Sequence, residues 1–127
     1  MKGGSKMAQF EKSIVAEKSF AFAVRIVKLY KFLCDEKREY VMSKQLLRSG
    51  TSIGANIHEA LNGQSKRDYL MKMNIALKEA SETHYWLRLL AASDVLTSQE
   101  TESIMADCIE LNKMLTAIVK TTSGNLN

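Results

Sequence analysis

The stretch Leu70-Met71-Lys72-Met73-Asn74-Ile75-Ala76-Leu77-Lys78-Glu79-Ala80-Ser81-Glu82-Thr83-His84-Tyr85-Trp86-Leu87 decides the fold. Leu70, Met73, Leu77, Ala80, His84, Leu87 and then Ala91 are separated alternately by three and four residues. That alternation averages about 3.5 residues and lines one stripe of an α-helix, the seam along which antiparallel bundles pack. Ser65 just upstream is a natural N-cap, and Asp68 puts a negative charge in the first turn, where the helix dipole favours it.

Working outward, Asn62-Gly63 ends a preceding helix, since both residues tolerate positive φ. That helix is expected to start at an N-cap Ser43 and to carry Leu46, Leu47, Gly50, Ile53, Gly54, Ile57 and Leu61 on one side. Further back, Phe22, Ile26, Leu29, Tyr30 and Leu33 recur at helical spacing and predict a helix from Ser13 to about Glu36. Asp35-Glu36-Lys37-Arg38-Glu39 then reads as a solvated connection. Downstream, Thr97-Ser98-Gln99-Glu100 is a capping box, followed by Ile104, Met105, Cys108, Leu111, Leu115 and Ile118 facing inward. The chain has no proline to interrupt any of these helices. The expected architecture is therefore all-α: an antiparallel up-down-up-down four-helix bundle over residues 13–122. Residues 1–12 are expected to form a disordered or tag-like leader, and residues 123–127 a frayed end.

At 127 residues, 46% hydrophobic and 25% charged, the chain is expected to close one core. Arg25, Lys28 and Lys31 break up the most apolar stretch, so no membrane span is expected. Cys34 and Cys108 lie far apart and outside any CxxC pattern, which reads as two buried, reduced thiols in a cytoplasmic protein. Phe20, Val24, Val27, Tyr69, Ala76, Trp86 and Leu90 fall outside the main seams; this surplus suits either a fat core or a subunit interface, and we read it as an interface.

Charge is split along the chain, with 15 Lys/Arg against 7 Asp/Glu in residues 1–78 and 3 against 7 thereafter. A basic half suits a polyanionic partner; it equally suits an acidic face on a neighbouring copy. Lys18, Arg25, Lys28 and Lys31 form a ridge on the first helix, and Lys44, Lys66 and Arg67 lie near the ends of the second and third. These are the candidate nucleic-acid contacts, of the kind that gives affinity with little sequence information.

Arg48, Ser52, Asn56 and Glu59 fall at i, i+4, i+8 and i+11, and the third helix offers Lys72, Glu79 and Glu82 opposite them. An acid/base or ligand site would use such groups; with no nucleophile nearby, we read a polar network that fixes helix register. Gly50 and Gly54 each cost about 1 kcal/mol inside a helix, which points to close approach of another helix. Glu-x-x-His, the di-iron signature of bundles, is absent from both His58 and His84, as are a P-loop, GxSxG and a zinc-ligand cluster. No metal, cofactor, small-molecule substrate or catalysis is expected.

The run Gln45–Ala60, then Gln64–Tyr69, Lys72–Ala80 and Glu82–Leu87, with Glu17–Arg25 upstream, resembles the four-helix bundle proteins encoded in 23S ribosomal RNA intervening sequences. The resemblance implies a bacterial protein that assembles as a ring-shaped homopentamer. It also implies kinship with the nucleic-acid-binding accessory bundles of diversity-generating retroelements. It makes Arg48, Ser52, Asn56, Glu59, Lys72 and Glu79 assembly or fold determinants. The leading expectation is a non-enzymatic oligomeric bundle binding structured RNA or a nucleoprotein; the alternative is a protein-interaction scaffold with no nucleic-acid role.

Overall fold

Four helices, α1 (Lys2–Asp35), α2 (Met42–Leu61), α3 (Lys66–Ala92) and α4 (Ser98–Asn125), make up the computed structural model, which describes residues 2–126 and the side chains of residues 6 and 9–126. The fold is all-α, with no strand among the described residues. Each helix packs on two neighbours in the cycle α1–α2–α3–α4–α1, while the backbones of the diagonal pairs stay apart. No described helix is long and apolar enough to cross a membrane.

The local signals act as their chemistry dictates at two of the three expected caps. Ser65 Oγ accepts from Asp68 N at 3.1 Å, and Thr97 and Glu100 form the reciprocal capping box. Ser43 is not a cap. The first turn of α2 is instead held by Glu39, whose carboxylate accepts from the N–H groups of Val41, Met42 and Ser43 at 3.1, 3.0 and 2.7 Å. Ser43 lies buried within that turn and donates back to Glu39 O. Partial burial works to raise the Glu39 carboxyl, but the donated N–H groups outweigh it and hold it below the ordinary carboxylate value.

α2 ends where Asn62-Gly63 predicted, but neither residue uses positive φ. Gly63 is needed for space: a Cβ there would sit 3.1 Å from Ala60 O and 3.5 Å from Asp68 Cβ, at the start of α3. Arg38 and Asp94, in the α1–α2 and α3–α4 connections, take the left-handed conformation, at φ 55° and 62°.

α1 begins at Lys2 rather than Ser13. Of the expected leader, Met1 lies outside the described residues. Lys12 holds its ammonium 4.5 Å above the Tyr69 ring, and Val15, one turn on, is fully buried. Once a helix is nucleated each added residue contributes a hydrogen bond, and no proline stops α1 from propagating backward. α4 likewise stays helical through Ser123 to Asn125, where fraying was expected; Asn127 is outside the described residues.

The core collects Phe22, Ile26, Leu33, Leu46, Ile53, Ile57, Met73, Leu87, Leu111 and Leu115, all essentially inaccessible. On α3 the buried stripe is Met73, Ala76, Ala80, Thr83, Leu87 and Leu90. Met73, Ala80 and Leu87 match the sequence reading. Leu70, Leu77, His84 and Ala91 are only half-buried, the last three displaced by neighbours one residue, or about 100°, away. The helix is turned toward α2, where Thr83 Oγ1 meets Ser49 Oγ at 2.9 Å in the interior. Ala76 and Leu90 therefore belong to the core, and Tyr69 and Trp86 pack against it. What remains of the surplus apolar surface is on α1: Phe20 is 72% exposed, with Val24 and Val27 beside it.

α1 and α2 meet at the two glycines. A Cβ on Gly50 would lie 2.7–2.9 Å from three side-chain carbons of Ile26, and one on Gly54 would lie 3.3 Å from Ser19 O. The close approach inferred from these glycines is thus to α1.

Candidate nucleic-acid interface and polar network

α1 turns its basic ridge partly toward α4, and that changes what its cations can do. Lys18 Nζ lies 3.0 Å from Glu110 Oε1, and Arg25 donates to Asp107 Oδ2 at 2.5 Å and to Ser103 Oγ at 3.1 Å. Lys28 and Lys31 sit farther round the helix, exposed, with no carboxylate within 4 Å among the described residues. The same holds for Lys44, Lys66 and Arg67. Lys44 opens α2 and Lys66-Arg67 follows its end, so they are separated by the length of a 20-residue helix, about 30 Å, and form no single patch. The acidic partners of Lys18 and Arg25 were not identified from sequence; they lie 92 and 82 residues away in the chain.

The polar network lies along the α2–α3 seam. Arg48 bridges Glu79, at 3.3 Å, and Glu82, which also accepts from Trp86 Nε1 at 3.0 Å. The hydrogen bond from Trp86 and then the Arg48 guanidinium hold the Glu82 carboxyl below its usual range. Toward the other end of α2, Lys72 meets Glu59 at 2.7 Å, and that hydrogen bond lowers the Glu59 carboxyl too. Ser52 and Asn56 do not bridge the helices: Ser52 donates to Arg48 O and Asn56 to Ser52 O, along α2 itself. The stripe thus divides into two ion-pair clusters with a self-satisfied middle.

Every buried side-chain nitrogen and oxygen among the described residues has a hydrogen-bond partner, so none is left demanding a ligand. A cleft of about 780 Å3 opens where α1, the α2–α3 connection and the end of α4 meet, with Lys12, Ser65, Lys66, Tyr69 and Thr122 in its lining. Burial, and then the charge of Glu11, push the Tyr69 phenol up to about 12. A smaller cleft of about 300 Å3 carries Ser81, His84 and Asn112. Neither includes Arg48, Glu59 or Glu79. Among the described residues no group of three or more His, Cys, Asp or Glu is placed to hold a metal ion.

The family model of the 23S rRNA-intervening sequence protein matches residues 11–117. The chain belongs to this family. A crystal structure of a protein of unknown function from the S23 ribosomal protein family of Bacteroides thetaiotaomicron VPI-5482 is 57% identical to it. The two superpose with a TM-score of 0.85 over 87% of this chain and 98% of that one. No curated protein matches the chain. The family match takes in the Arg48–Glu79 and Glu59–Lys72 pairs, the two glycines of the α1–α2 crossing and all seven basic residues named above.

Proposed function

We propose that this chain is a non-enzymatic, self-assembling bundle of up-down-up-down topology whose unmatched surface cations bind structured RNA in the bacterial cytoplasm. The observation that carries the proposal is electrostatic. Five of the seven candidate cations, Lys28, Lys31, Lys44, Lys66 and Arg67, stand exposed with no carboxylate within 4 Å among the described residues. Phosphate neutralisation by such side chains releases counterions and supplies sequence-independent affinity. The family's link to a ribosomal RNA intervening sequence makes RNA the polyanion to test.

Antiparallel order is supported by pairs that run in opposite senses along the chain: Arg48 with Glu79 and Glu82, but Glu59 with Lys72. Self-assembly is supported by Phe20, Val24 and Val27, an exposed apolar stripe at i, i+4 and i+7 on α1. A head-to-tail ring would cover such a stripe with a different surface of the next copy; five subunits is the number the family resemblance implies.

The test is fluorescence anisotropy of a labelled RNA hairpin at rising salt, on protein sized by light scattering. Binding that weakens by roughly 0.7–0.9 log units per log unit of salt for each phosphate contacted supports the proposal. A scaffold with no nucleic-acid role is the second reading, favoured by the internal matching of Lys18 and Arg25. It predicts an oligomer that ignores RNA even at low salt.

A further inference from the structure

We infer that the outward face of α3 is the surface on which the RNA docks; this rests on the RNA-binding reading above. From Met71 to Ala92 every exposed position of α3 is neutral or cationic. Arg67, Lys78 and Arg88 fall on this one face at i, i+11 and i+21, about 15–17 Å apart along the axis, so they reach different phosphates of one RNA. None has a carboxylate within 4 Å among the described residues. Of the helix's carboxylates, Asp68 is exposed in the first turn, and Arg48 draws Glu79 and Glu82 into the α2 seam, which leaves the outward positions from Met71 onward without negative charge.

An aromatic sits in the middle of this charge. Tyr85 is 54% exposed, and its ring is propped edge-to-face on Trp86 at 5.1 Å. Trp86 is itself fixed by its bond to Glu82. A ring held this way, between cations, is a stacking platform for an unpaired base of a loop or bulge. On α1, by contrast, two of the cations are matched by α4, and the unmatched Lys28 and Lys31 stand beside the exposed apolar stripe Phe20, Val24 and Val27. α1 and α3 are diagonal in the cycle, so the apolar and cationic faces lie on opposite sides of the bundle.

The test compares wild type, Lys78→Gln/Arg88→Gln, Tyr85→Ala and, as control, Lys113→Gln/Lys120→Gln on the exposed side of α4. Each is titrated against a labelled RNA hairpin with an unpaired loop, with size and melting temperature measured in parallel. The α3 pair is expected to lose about tenfold in affinity and about 1.4–1.8 units of salt slope. Tyr85→Ala is expected to lose roughly tenfold with its slope kept. The control should bind within about twofold of wild type, and all variants should keep size and melting temperature. Wild-type binding that survives both α3 changes overturns the inference and leaves the RNA reading standing. A change of oligomeric state in the α3 variants also overturns it, because the face would then be a subunit contact. If wild type binds no RNA at low salt, the reading and the inference both fail.

Discussion

Arg25 on α1 and Asp107 on α4 are joined by a 2.5 Å charge-assisted hydrogen bond, so a cation that the sequence offers to a nucleic acid is already matched inside the chain. Both side chains are about two-fifths exposed, which caps the strength of the pair. Arg25→Glu should cost about 0.5–1 kcal/mol by replacing attraction with repulsion. The swap Arg25→Glu/Asp107→Arg should restore most of it. Thermal melts of the single and double variants in a mutant cycle check this, and additive losses would remove the pair from the account.

Gly50 offers a sharper stability test. Alanine normally gains about 1 kcal/mol over glycine inside a helix. At Gly50 the new Cβ would press on the β-branched and fully buried Ile26, and overpacking of that kind costs about 1–3 kcal/mol. Gly50→Ala should lower the melting temperature by about 4–8 °C. Gly54→Ala meets only Ser19 O at 3.3 Å and should come out near neutral. Equal melting temperatures for the two variants would show that α1 and α2 do not cross this closely.

Glu39 ties stability to pH. Its folded carboxyl is held below the ordinary value, so its contribution is complete above the unfolded value of about 4.3 and is lost as pH falls through the lower folded one. Glu39→Gln should destabilise the chain at neutral pH by about 0.5–2 kcal/mol, as loss of a helix cap does. The gap from wild type should close below about pH 4. A gap that stays constant with pH would mean that the carboxylate is not the cap.

The two thiols should react at different rates. Burial pushes Cys108 up to about 12, while Cys34 is half-buried, within 3.8 Å of Ser43 Oγ. A thiol reagent should label Cys34 in the native protein and Cys108 only on unfolding. Mass mapping of the labelled peptides reads this directly.

The features legible in the sequence were the local ones. Ser65 and the Thr97/Glu100 box announce helix starts because a cap needs only a side chain and an N–H three residues away. The family match covers the blocks that suggested it. The rotation of α3 was not legible, because Leu77 beside Ala76 looks like the better core residue. Only the close α2 contact, with Thr83 on Ser49, makes the smaller side chain the buried one. Glu39 hid among five consecutive charged residues, 35–39, that read as solvated. Lys18 and Arg25 looked equivalent to Lys28 and Lys31 because their partners are supplied by a distant helix.

One comparison tests the account most directly: RNA-hairpin affinity of Lys66→Gln/Arg67→Gln against Lys18→Gln/Arg25→Gln at one fixed salt concentration. If unmatched cations carry the binding, the first pair weakens it by about tenfold and the second leaves it within about twofold. Equal losses from both pairs, or a larger loss from the internally matched pair, would contradict the claim.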